Sequence, residues 1–173
     1  DTILRLDAEW RYGRGRRDMS YRSVAGPKLA YAGWLAGDRE VLDDGKLVAK
    51  RVAAPAKDSH AIFRAWTEEV DAWAGTASLE REGTHVELAQ IRPGDFFVMS
   101  GSPFGHAVLV LDVARDEAGR VALLVGQSYM PAQSFHVLRA TPSSAWFVLD
   151  ADATEIATPF WKPFPMKTLR RMP

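Results

Sequence analysis

His106 occupies the position in this sequence that is most typical of a chemical role. It follows a glycine-rich loop, residues 101–105, and begins the apolar run HAVLVLD. A loop that ends at the first residue of a buried strand leaves one edge of an imidazole toward solvent and the other toward the core, which is how a general base is commonly held. A histidine and a glutamine at a strand end are more often structural, and that alternative stays open beside the chemical one.

The next predicted strand supplies a partner for His106. A hairpin that places Val108 opposite Gln127 places His106 opposite Tyr129, so that Gln127 is a diagonal neighbour of His106 on the same face. The side-chain oxygen of Gln127 can then accept the Nδ1 proton and leave Nε2 as the base, which is the orienting role in a catalytic triad. A register shift of one residue would remove Gln127 from that face.

Other kinds of catalytic site receive less support. The chain has no cysteine, so it contains neither a disulfide nor a thiolate metal site. Ser100, Ser102 and Ser128 lie near the candidate base in sequence, but no motif of a strained, activated serine surrounds them. The histidines and carboxylates show no metal-ligand spacing, and no glycine-rich phosphate loop precedes a helix. We therefore predict no metal and no cofactor.

The composition predicts an ordinary globular domain. The chain has 173 residues, of which 47% are hydrophobic and 25% charged, and we expect a single domain over 1–173. Its 22 basic and 22 acidic residues cancel, so no net charge draws it to nucleic acid. No apolar run approaches the roughly 18 to 20 residues that span a bilayer, so we expect a soluble chain without a membrane span. The oligomeric state is left open.

Two helices are predicted in the first half of the chain. A core helix is expected over 1–12, where Ile3, Leu6 and Trp10 follow helical spacing, and a second helix over 58–75. Turn residues between them are too dense for long elements and leave one short strand, LVAKRV.

The second half predicts an antiparallel sheet over 95–150. Its strands are indicated by the runs DFFVMS, HAVLVLDVA, VALLVGQSY, SFHVLR and AWFVLD. The run DEAGR predicts a tight turn that pairs Arg115 with Arg120.

The C-terminal tail, 158–173, contains four prolines and is predicted to be extended, with Phe160, Trp161 and Phe164 buried piecemeal. The order of elements predicts an α+β fold, in which a mainly antiparallel sheet of four to six strands packs on two or three helices.

The sequence resembles a bacterial family of unknown function, domain-of-unknown-function family 4846, over most of its length. The resemblance lies in the blocks YRSVAGPKLAYAGWLAGDRE, AWAGTASLERE, IRPGDFFVMSGSPFGHAVLVLDVA, QSYMPAQSFHVL, AWF and IATPFW. The family has no established activity, so this resemblance implies a shared fold but no function.

The pair of runs GDFFV and GHAVLVLD is also similar to a strand pair of the NlpC/P60 cell-wall peptidases, a branch of the papain-like fold. That resemblance implies a cysteine nucleophile at the N-terminus of the first core helix, where the helix dipole and a nearby histidine lower the thiol pKa. His106 then matches the base, and Gln127 is a plausible orienting residue. The resemblance places the cysteine two residues before Asp1.

Two functions follow from these resemblances. One is a thiol amidase or peptidase that acts on cell-wall peptide, which implies export to the periplasm or cell envelope; without the cysteine, the 173-residue chain is expected to be inactive. The other is a non-catalytic domain that binds a peptide or glycan on the same fold. For either function Tyr129, Gln133 and Trp34 are the candidate substrate-binding residues.

Overall fold

The computed structural model describes residues 2–102, 104–129 and 133–173. Asp1, at the start of the predicted first helix, and Pro103, in the predicted loop before the candidate base, lie outside the described residues. The chain divides into two compact units, Asp1–Glu82 and Gly83–Pro173. The expectation of a single domain stays a prediction.

The first unit contains four α-helices and two hairpins. Its elements are α1 (Thr2–Gly13), β1 (Ser20–Arg22), β2 (Lys28–Ala30), α2 (Tyr31–Leu35), β3 (Asp38–Asp43), β4 (Lys46–Arg51), α3 (His60–Trp73) and α4 (Thr76–Glu82). The prediction of two or three helices was too low for the described residues. The hairpin β3–β4 turns at Asp44 and Gly45, both with positive φ, as a tight two-residue hairpin requires.

Helix α1 forms where it was predicted, but it buries a different face. Ile3, Leu4 and Ala8 are buried, whereas Leu6 is 44% and Trp10 is 57% exposed. The helical spacing predicted the element correctly, and the assignment of Leu6 and Trp10 to its apolar face was wrong. Buried Leu4 and Ala8, four residues apart, define the inward face instead.

Helix α3 organises the core of the first unit. The Ser59 side chain accepts the backbone N–H of Ile62 and caps the helix. Phe63 and Trp66 are fully buried on its inner face and contact the ring of Tyr31, with centroid distances of 5.9 and 5.2 Å. Aromatic contacts of this kind add to the burial of apolar area.

The second unit is built on a seven-stranded antiparallel sheet. Its order is β10-β8-β7-β6-β13-β5, and β9 pairs with β8 outside this path. The elements are β5 (Thr84–His85), β6 (Phe96–Met99), β7 (His106–Arg115), β8 (Val121–Gln127), β9 (His136–Val137), β10 (Trp146–Leu149), β11 (Glu155–Ile156), β12 (Phe164–Pro165) and β13 (Leu169–Arg171), with 3-10 turns at Leu88–Gln90 and Met166–Thr168. The α+β class is confirmed, while the predicted count of four to six strands was too low.

Part of the tail that was predicted to be extended forms an interior strand. Strand β13 pairs with β6 on one side and with β5 on the other. Phe164 is fully buried in the tail, as expected, but Phe160 is 77% exposed. The prediction that Phe160 is buried was therefore wrong.

Strand β7 contains a bulge that changes its register with β8. At the turn Arg115 lies opposite Val121, not opposite Arg120 as predicted. The register then shifts between Val110 and Asp112, because β7 holds one residue more than β8 over this stretch. The predicted pairing at the turn was wrong by one residue, and the bulge restores the predicted register toward the start of β7.

A buried ion pair ties β13 to the start of β6. The Asp95 side chain is 1% exposed and receives Nε and Nη2 of Arg171 at 2.6 and 2.8 Å. The same carboxylate also accepts the backbone N–H of Arg92. Bidentate, buried pairs of this kind leave a costly unpaired charge when one partner is removed.

No helix in the described ranges is long and apolar enough to cross a membrane.

We expect Asp95→Asn to lower the free energy of unfolding by about 3 kcal/mol, because Arg171 would keep a largely buried charge without its counter-ion. The exposed pair between Asp116 and Arg120 is the matched control, and Asp116→Asn should cost at most about 1 kcal/mol. Urea unfolding of both variants measures the difference. An equal loss of unfolding free energy in the two variants would show that the buried pair stabilises the fold no more than the exposed one.

Candidate functional site

The start of β7 brings His106 and Gln127 together. Leu109 lies opposite Gly126, so one residue further toward the start of β7 Val108 faces Gln127. His106 shares the face of Val108, which makes Gln127 its diagonal neighbour. The side chains are joined by a hydrogen bond of 2.6 Å between His106 Nε2 and Gln127 Oε1.

The hydrogen bond fixes which imidazole nitrogen is left as a base. An amide oxygen only accepts, so Nε2 of His106 carries the proton and donates it to Gln127 Oε1. The lone pair of the neutral ring is then on Nδ1. The predicted assignment, with Nδ1 bound to glutamine and Nε2 as the base, is therefore reversed.

Aromatic rings surround the imidazole. Tyr129 and Trp161 each have a ring centroid 5.1 Å from that of His106, and Phe164 lies at 6.0 Å. His106 itself is 8% exposed. This burial lowers the pKa of His106 below its ordinary value, and the hydrogen bond that Nε2 donates to Gln127 offsets the change only in part. The ring is therefore neutral near pH 7, which is the state a base requires.

Two buried donors beside the imidazole have no hydrogen-bond partner among the described residues. They are Nε2 of Gln127 and Nε1 of Trp161. Folded proteins pair the large majority of such groups. Because Gln127 Nε2 has no partner among the described residues, the bond that Oε1 accepts from His106 is the side-chain hydrogen bond that orients this amide.

An open cleft of about 580 Å³ adjoins the aromatic ring cluster. It is lined by residues 100–102, 104, 129 and 160–162, and Tyr129 and Trp161 are the two that also contact the imidazole. His106 is not itself among the lining residues and adjoins the cleft through these two rings.

Two features fix the walls of the cleft. A Cβ at Gly101 would lie 2.5 Å from the carbonyl oxygen of Phe104, so the loop before β7 closes only with glycine there. On the other side, the hydroxyl of Tyr129 donates to the carbonyl oxygen of Phe160 at 2.7 Å. Phe160 has a φ of 68°, in the left-handed region that bulky residues avoid.

The other predicted binding residues have different surroundings. Gln133 is exposed, and its backbone N–H donates to the carbonyl oxygen of Tyr129 at 2.9 Å. Trp34 belongs to the first unit, where the guanidinium of Arg39 lies 3.4 Å from its ring centroid. Of the serines near the base in sequence, Ser100 and Ser102 line the cleft.

The sequence model of one family, a domain of unknown function (4846), matches residues 1–171. The chain belongs to this family. Searches of curated proteins and of solved structures each find no match to it. Neither search therefore supplies a function for this family 4846 chain.

Sequence reasoning did not assign four residues to the cleft of this chain: Phe104, Phe160, Trp161 and Lys162. The tail aromatics were noted, but a proline-rich segment has no periodicity from which to infer which rings are buried. One available signal was the position of Phe104 in the glycine-rich loop directly before His106. No group of three or more metal-ligating side chains lies close enough to hold a metal within the ranges that the structure describes.

Changing Gln127 should move the His106 pKa in two directions. Gln127→Glu places a carboxylate beside Nε2 and should raise the His106 pKa by roughly 1 to 3 units. Gln127→Leu removes the hydrogen-bond acceptor and should lower the His106 pKa below its value in the wild type. NMR titration of the imidazole protons measures both shifts. Gln90→Glu, an exposed change on a 3-10 turn, serves as the control and should leave the His106 pKa unchanged. The hydrogen bond would be contradicted by an identical His106 pKa in all three variants.

Proposed function

We propose that His106 and Gln127 are the general base and its positioning residue in a thiol hydrolase or acyltransferase that acts on an amide or peptide bond. The observation that supports this most is the buried Nε2 to Oε1 bond of 2.6 Å. It holds the ring in one tautomer and orientation and leaves the Nδ1 lone pair as the proton acceptor.

In the proposed reaction His106 first accepts a proton and then returns it. Nδ1 takes the proton of a thiol, and the thiolate attacks the carbonyl carbon of the amide. The imidazolium then returns the proton to the leaving amine, and water later resolves the thioester in the same way. Gln127 keeps Nε2–H bound throughout, so its oxygen stabilises the imidazolium.

The thiol is proposed to lie N-terminal to Asp1, since the chain itself contains no cysteine. The resemblance to NlpC/P60 peptidases supports this position, two residues before Asp1 at the start of the first helix. The same resemblance supports a papain-like arrangement, a cell-wall peptide as substrate and export from the cytoplasm. The proposal therefore concerns the full-length protein.

The second candidate function is a non-catalytic domain that binds a peptide or glycan. The observation in its favour is the cleft wall that Phe104 and Phe160 form with Tyr129, because both phenylalanine rings are exposed and exposed apolar patches mark binding sites. This function requires no thiol. The residue two positions before Asp1 in the full-length protein separates the two candidates.

In the full-length protein, we expect His106→Ala to reduce labelling by a thiol-reactive probe by on the order of 100-fold at pH 6.5. Without His106 to accept its proton the thiol returns to an ordinary pKa of about 8.5, at which only about 1% is thiolate at pH 6.5. The labelling rate, measured from pH 5 to 9, should shift its midpoint upward. Gln127→Ala should reduce turnover while the protein stays folded.

The control for the labelling experiment is His136→Ala, whose ring contacts the backbone of Ser134 in the same unit. It should leave the pH profile of labelling unchanged. A profile that is identical in the wild type and in His106→Ala would refute the base role. The absence of any cysteine from the full-length protein would refute the hydrolase and leave the binding domain.

A further inference from the structure

The cleft beside His106 presents the two most exposed large hydrophobic side chains that the structure describes. Phe160 is 77% and Phe104 is 72% exposed, and both line this one cleft. They come from separate segments, the loop before β7 and the C-terminal tail. Burying such a ring against a ligand removes apolar surface from water and so favours binding. Two such rings in one concave site are suited to hold a flat apolar group.

The exposure of Phe160 is fixed by the backbone. Its left-handed φ of 68° is unfavourable for a bulky residue. The Tyr129 hydroxyl holds the carbonyl oxygen of the same residue at 2.7 Å. Strain of this kind persists where the surrounding structure enforces it, and it is concentrated at ligand sites. The fold therefore holds this ring in solvent at the wall of the cleft.

The cleft carries one kind of charge. Lys162 is exposed and is the one charged residue among the described residues that line it. No carboxylate lies within ion-pair distance of this lysine in the described part of the chain. The protein as a whole has a net charge of zero, so the positive charge is local to the site. An anionic group on the ligand complements it.

We propose that the cleft binds a peptide through a C-terminal aromatic residue, with its ring between Phe104 and Phe160 and its carboxylate on Lys162. The volume of about 580 Å³ lies within the range of small-ligand clefts, about 300 to 1,000 Å³, and accommodates more than one residue. This inference rests on the proposed function only in taking the cleft as the substrate site. It assigns to that site a selectivity for the residue that carries the free carboxylate.

The test measures peptide binding to the 173-residue chain by titration calorimetry, so it needs no thiol. The probes are Ala-Ala-Phe with a free carboxylate, the same peptide as its C-terminal amide, and Ala-Ala-Gly with a free carboxylate. We expect the acid to bind about three- to fivefold more tightly than its amide, and this preference to weaken with added salt. Ala-Ala-Gly should bind at least about tenfold more weakly than Ala-Ala-Phe, because it lacks the ring.

Variants assign the two halves of the site. Lys162→Gln should abolish the preference for the acid over the amide, whereas Lys167→Gln, an exposed lysine outside the cleft, should preserve it. Phe160→Gly should weaken Ala-Ala-Phe by about tenfold without loss of thermal stability, since glycine adopts the left-handed conformation without strain. Val148→Ala removes another exposed apolar side chain and should leave the affinity for Ala-Ala-Phe unchanged.

Three results would overturn the inference: equal affinity for acid and amide in the wild type, tighter binding of a neutral chito-oligosaccharide than of Ala-Ala-Phe, or no detectable binding of any probe at a concentration of about 10 mM. Each leaves the thiol-labelling result, and with it the proposed base role of His106, unaffected.

Discussion

The β-bulge in β7 is the constraint on which the candidate site depends. If the register at the turn continued without it, Gln127 would lie opposite Leu109, whose side chain is on the other face of the strand from His106. The extra residue between Val110 and Asp112 returns Gln127 to the face of His106. Bulges often re-aim side chains next to active sites, and this one acts on a pair that lies several residues away.

The rings around His106 give the hydrogen bond its effect. In water, solvent molecules would compete for the hydrogen bond to a glutamine oxygen, and that oxygen would orient an imidazole only weakly. Here both partners are buried and Tyr129, Trp161 and Phe164 exclude solvent from the ring. Burial strengthens a hydrogen bond and at the same time disfavours the charged imidazolium. A neutral base in one fixed tautomer results from these two effects together.

The tail connects this site to the rest of the second unit. Phe164 is buried beneath the imidazole, and β13 follows it into the middle of the sheet, where Arg171 binds Asp95. Between Thr158 and Phe164 the chain turns outward and presents Phe160 at the cleft. The same segment therefore contributes to the core, to the surroundings of the base and to the cleft wall.

The sequence alone predicted the two long helices, because helical spacing is a local pattern that survives folding. It also predicted the contact between His106 and Gln127, but only because the bulge in β7 cancels the one-residue error in the predicted turn. Only the tertiary structure decided which helix face is buried, which imidazole nitrogen meets Gln127, and that the tail forms a strand. Strand β13 has three residues, too few to show a period, and its place between β6 and β5 comes from pairing with distant segments. The exposure of Phe160 likewise follows from a backbone conformation that the hydroxyl of Tyr129, 31 residues away, supports. The partner of His106 could be predicted because a hairpin joins the two strands that carry the pair. The cleft could not be predicted, because its walls come from segments that are distant in sequence and whose contacts carry no local signature.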